Sequence, residues 1–177
     1  MIRNNTAISC VLGLVVGIVA IAHSNAASPV EKRFRIGVYD PRAIAIAWAG
    51  SDFNPVKAKR AALEAAKKSG DQQQVKELEA WGPAQQRLLH FQGFGHVPVG
   101  DLLLPVNNGV ERIAKAKGLS AIAMECDDIA PNVQVVDVSE ELAALFVPVD
   151  KAHSIVGSLK NAKPLGLLEI ADLKEND

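Results

Sequence analysis

His90, His96 and Asp101 are the residues in this chain with the clearest potential for chemistry. Imidazole and carboxylate together ligate a metal or move a proton. Their spacings of six and five residues share no helical face, and Gly93 and Gly95 lie between them. The sequence therefore favours ordinary loop or half-buried histidines over a metal or proton-transfer site. Glu125, Asp127 and Asp128 gather carboxylates at one turn, the donor type that hard cations prefer, but they do not fit a twelve-residue calcium loop. Ser24 and Ser51 have no Gly-x-Ser-x-Gly context. There is no Gly-x-x-x-x-Gly-Lys phosphate loop, and Gly93-Phe94-Gly95 is too little for a nucleotide fingerprint. One tyrosine and two tryptophans leave few platforms for base stacking. We expect no catalytic residue, no cofactor, no metal and no nucleic-acid partner.

The second notable constellation is apolar. Val75, Leu78, Trp81, Ala84, Leu88 and Phe91 recur at spacings of three or four, which makes one helical stripe. The preceding helix offers mainly alanine from Ala58 to Ala66. On one reading the stripe packs against that alanine face. On the other it is too wide to be covered, and Val75, Leu78, Trp81, Leu88 and Phe91 are left to grip apolar segments of a client polypeptide, as exposed apolar patches do.

The elements that must position these residues are strands near 34–39, 119–124 and 133–138, with helices between the first and the second. The expected class is α+β, a small β-sheet body with a helical hairpin inserted at about 55–93. Phe34, Ile36 and Val38 alternate with Arg35, Gly37 and Tyr39, which suits a strand with one buried face. Asp40-Pro41 opens a helix with a capping carboxylate and a first-turn proline. Asn54-Pro55 repeats that start, Gly70 ends the helix that follows, and Asp71 caps the next. Gly82-Pro83 predicts a kink or a break in the second arm of the hairpin. A further helix is expected from Gly100-Asp101 to Gly118 with Pro105 in its first turn, and Ser139 is expected to cap a helix after the third strand. From Val149 the pattern predicts two short helices, 150–160 and 165–173, with a frayed end.

Residues 1–26 read as a cleaved export signal: Arg3, then an apolar or small run from Thr6 to Ala22, then Ser24-Asn25-Ala26. That run would span roughly 25 Å as a helix, short of a roughly 30 Å hydrocarbon core. The expectation is a periplasmic or otherwise exported chain with no membrane insertion after cleavage. Cleavage removes Arg3, one of 19 basic residues, and leaves all 20 acidic ones, so no global basic field attracts nucleic acid. It also removes Cys10 and leaves Cys126 alone, so the core holds without an internal disulfide. Charge is uneven: residues 55–93 carry seven basic and four acidic side chains, residues 125–177 four and eleven.

Arg35 to Asp40, Ile113 to Met124 and Val135 to Leu142, taken in order around a helical hairpin and behind an export signal, resemble the OmpH-like (Skp) family of periplasmic chaperones. The resemblance implies a homotrimer whose subunits pool their strands into a central body. It also implies helical arms that enclose unfolded outer-membrane proteins without ATP. Three features depart from the pattern. The hairpin reaches roughly 20–30 Å, the Gly82-Pro83 break and the loop after it have no counterpart, and the overall charge is slightly acidic. The resulting map is a signal at 1–26, an OmpH-like body with hairpin at 27–148, and a C-terminal extension at 149–177. The expected function is an ATP-independent chaperone-like protein that binds unfolded or partly folded envelope polypeptides. The alternatives are a non-catalytic module with one specific envelope partner and, behind it, a small-ligand or metal-binding protein using His90 and His96.

Overall fold

Pro41 to Ala49 reads PRAIAIAWA, with alanine or isoleucine on nearly every side, and a helix that is apolar all round must be buried. It forms α1 (Pro41–Ala49), in which Ala43, Ile44 and Ala47 are fully buried. The computed structural model describes residues 34–173, so the export-signal reading of 1–26 lies outside the described residues. The described residues all belong to one compact unit, 33–177. None of their helices is long and apolar enough to cross a membrane.

The expected α+β class holds. β1 (Phe34–Val38) lies between β2 (Ala121–Ala123) and β3 (Val133–Asp137), and both pairings are parallel. Ile36 sits opposite Ala121 on one side and Val135 on the other. The route from β1 to β2 runs through the helical segment, whereas residues 124–132 join β2 to β3 across β1 without a helix. Parallel crossovers are usually longer. The short link suffices because β2 has three residues and β3 five, so little length must be retraced.

The buried face of β1 is not the one its alternation suggested. A Cβ on Gly37 would stand 2.8 Å from Leu119 Cδ1 and 3.2 Å from Val138 Cγ2. Tyr39, Leu119, Ile122 and Val136 pack against the core around α1. Side chains from β2 and from the segments flanking β2 and β3 crowd the centre of the sheet so closely that glycine fits there best. Phe34, Ile36 and Val38 therefore take the opposite face, with Phe34 50% exposed and Val135 beside them also exposed.

The hairpin consists of α2 (Val56–Ser69) and α3 (Gln72–Phe94). Of the kink or break expected at Gly82-Pro83, the break does not occur: α3 runs unbroken through Pro83. Proline removes one backbone bond, and packing against α1 and α2 holds the turns on either side. Pro105 has the effect that Pro83 lacks. The expected single helix becomes α4 (Gly100–Leu103), one 3₁₀ turn (Leu104–Val106) and α5 (Asn107–Lys117). The proline ring crowds the carbonyl four residues back, and the tighter turn relieves it.

After β3 come α6 (Ser139–Ala143), α7 (Val149–Leu159) and α8 (Leu167–Ala171). The segment beyond Val149 contributes Ala152 and Ile155 to the core around α1. Ile170 of α8 is buried, and α8 packs on α3.

A polar lock closes the carboxyl edge of the sheet. Asp40 Oδ1 accepts from the Arg42 backbone N–H at 2.9 Å, capping α1, and Arg42 Nη2 meets Asp40 Oδ2 at 2.6 Å. Arg42, 6% exposed, also donates from Nη1 to the Ala162 carbonyl at 2.8 Å. Ser139 does not cap its own helix as expected; its hydroxyl accepts the Asp40 N–H at 2.9 Å. Asp137 Oδ1 takes the Ser139 N–H instead, at 2.8 Å.

Asp40→Ala removes a cap and leaves a buried guanidinium unmatched, so it should cost about 3 kcal/mol or more in urea denaturation. Ser139→Ala should cost about 1 kcal/mol. Burial raises the Tyr39 phenol above its ordinary 10.0, because phenolate is the form that burial penalises. The unfolded chain ionises first, so stability should decline as pH rises through the unfolded value. Tyr39 is the chain's one tyrosine, and absorbance at 295 nm should show a single midpoint above 10.0.

Candidate binding cleft

The hairpin turn is fixed by two local interactions. Gly70 adopts φ 75, a left-handed conformation that favours glycine, and closes α2 through bonds to Ala66 and Lys67. Asp71 Oδ1 then accepts from Gln74 N–H at 3.0 Å and starts α3. The two helices are thereby returned side by side, but their facing surfaces do not fill the space between them.

A cleft of about 650 Å³ remains, within the range of ligand sites. Its apolar walls come from Val56 and Leu63 of α2 and from Leu78, Trp81 and Leu89 of α3. Its charged groups are Lys59, Arg60 and Lys67 against a single carboxylate, Glu79. Lys59 Nζ sits 5.7 Å from the centroid of the Trp81 ring, a cation–π contact. Lys67 Nζ lies 3.1 Å from Glu79 Oε1 across the hairpin. Arg60 makes no ion pair among the described residues and remains available to an anion. A second pocket of about 370 Å³ adjoins at Val56 and Arg60, and a third of about 230 Å³ separates α3 from α8.

Of the five residues expected to grip a client, Leu78 and Trp81 line the cleft. Phe91 instead lines the smaller pocket against Ile170 and Leu173. Leu88 is 43% exposed outside the cleft, and Val75 is half-buried beyond its lining. The stripe is thus divided between a groove, the α8 contact and solvent.

The structure does not bring His90, His96 and Asp101 together. His90 lines the cleft with its ring centroid 5.3 Å from that of Phe94. His96 Nε2 pairs with Glu125 Oε2 at 2.9 Å. Asp101 Oδ1 accepts from buried Gln92 Nε2 at 2.9 Å, tying the end of α3 to α4. Among the described residues no three His, Cys, Asp or Glu side chains are placed to share a metal ion. Cys126 is a free, half-buried thiol.

Sequence reasoning missed the α2 wall. Val56, Arg60, Leu63 and Lys67 sit at i, i+4, i+7 and i+11, a cationic–apolar stripe that alanine content had hidden. No family model matches this chain, and neither does any curated protein or solved structure.

Proposed function

We propose that this chain is a non-enzymatic, ATP-independent protein that holds unfolded or partly folded polypeptide, with the α2–α3 cleft as its grip. The observation that carries this reading is the cleft itself, with apolar walls and three cations against one carboxylate. An apolar side chain of a client enters against Leu63 and Trp81, and a neighbouring acidic residue meets Arg60. Burying about 300 Å² of client apolar surface at about 25 cal/mol/Å² gives roughly 7 kcal/mol, most of which association and ordering offset. The grip is therefore weak and exchangeable, as a holding function requires.

Assembly into an OmpH-like trimer belongs to the same proposal. It is supported by the face of β1 and β3 that no described element covers, where Phe34 and Val135 are exposed. Parallel sheets are normally covered on both faces, and a further copy would supply the missing layer. An exported location rests on the signal-like residues 1–26. The alternative, an envelope module with one specific partner, uses the same cleft with narrower choice.

The chain in stoichiometric excess should suppress aggregation of denatured citrate synthase and of reduced insulin alike, followed by light scattering. Leu78→Ala with Trp81→Ala should remove most of that suppression, whereas Leu88→Ala outside the cleft should leave it near wild type. Suppression of neither substrate would sink the holding function and favour the single-partner module.

A further inference from the structure

The C-terminal helix carries the chemistry that the cleft accepts. In α8, Leu167 is 59% and Leu168 82% exposed, an unusual display for adjacent leucines, while Ile170 is 3% exposed on the side packed on α3. Two residues along a helix turn about 200°, so Leu168 points away from α3 while Ile170 is seated. Gly95 fixes that seat: a Cβ there would lie 2.7 Å from Ile170 Cδ1. Residues 164–173 carry two charges, Glu169 and Asp172, both negative. A pair of outward leucines flanked by carboxylates is thus presented next to a groove of opposite charge.

We infer that the α2–α3 cleft receives α8 from a second copy of this chain. Leu167 and Leu168 enter between Leu63 and Trp81, and Asp172 faces Arg60, while Glu169, whose Oε2 accepts the Gly166 N–H at 2.6 Å, adds its negative charge from the first turn of α8. The contact forms between copies because seating Ile170 on its own α3 directs Leu168 away from that helix. Displacing α8 from its own seat would expose Ile170 and break the Leu165 N–H bond to the Phe94 carbonyl at 2.8 Å. The contact is heterologous, one surface on each partner, so it forms a reciprocal pair or a ring where the rotation closes and an open row of copies where it does not. It rests on the reading of the cleft as a polypeptide site and adds a regulation of it: a client must displace a neighbour's α8, and crowding of copies closes the grip.

The test is fluorescence anisotropy of a dye-labelled, end-blocked peptide of residues 164–173 titrated with the intact chain. Saturable binding is expected, weakened about tenfold or more by Arg60→Glu in the chain or by Leu168→Glu in the peptide, and weakened by salt. Arg60 is exposed, so the variant should keep the wild-type melting curve, checked by circular dichroism. Absence of saturable binding overturns the inference, as does binding that neither substitution weakens. An unfolded, carboxymethylated lactalbumin titrated in parallel separates the two readings. Binding of that protein without the peptide rejects the α8 contact alone, and binding of neither rejects the polypeptide cleft as well.

Discussion

A guanidinium removed from water must be matched, and the match between Arg42 and Asp40 organises the body of this protein. Asp40 spends one carboxylate on three tasks: it caps α1, neutralises Arg42 and fixes the direction in which the chain leaves β1. Arg42 extends the link to the Ala162 carbonyl, and the Asp40 N–H reaches Ser139 beyond β3. The ion pair joins the end of the central strand, α1 and the segment leading to α8, and the Asp40 N–H adds the start of α6. Buried pairs add little net stability over apolar substitutes, but they penalise every arrangement that separates the partners. With α1 fixed in this way, α3, α6 and α7 have a surface to pack on.

The cleft arises from the same economy of size. Toward the cleft, α2 offers Val56 and Leu63 as its apolar groups, set among Lys59, Arg60 and Lys67. On α3, Gly82 contributes no side chain, and a Cβ built there would meet nothing within 4 Å. Where a glycine or a flexible cation stands in place of a large apolar residue, the facing helices leave a hollow. Trp81 stands at the edge of one such hollow with Lys59 across its ring. Trp81 is half-open to solvent, and Lys59 Nζ stands 5.7 Å from its ring centroid. Pairing of Lys67 with Glu79 and of Lys59 with Trp81 leaves Arg60 as the cation least committed within the hairpin.

Much of this was legible in the sequence where local chemistry decides structure. The three strands, the Asp40-Pro41 start, the Gly70-Asp71 reversal and the two helices after Val149 follow from caps, periodicity and glycine stops. What could not be read depended on partners distant in the chain. Gly37 looked like a neutral member of an alternating strand, yet its missing Cβ admits Leu119 and Val138 and so decides which face is inside. Ser139 looked like a cap, but parallel pairing of β1 with β3 brings the Asp40 N–H to its hydroxyl. Pro83 and Pro105 carry the same local penalty and meet different fates, because α3 is supported by neighbours on either side of its proline. In the site, the α3 wall was visible as a stripe of large residues, and the α2 wall was masked by the alanines around it.

The central claim is that Trp81 lines a working polypeptide site, and tryptophan emission tests it most directly. The chain has two tryptophans, and Trp48 is buried in the core. Titration with a permanently unfolded, carboxymethylated protein should shift the emission to shorter wavelength in a saturable way. Replacing Trp81 with phenylalanine should abolish the shift while Trp48 continues to report an intact core. An emission spectrum that stays unchanged at saturating client, or a shift that persists in Trp81→Phe, would contradict the account.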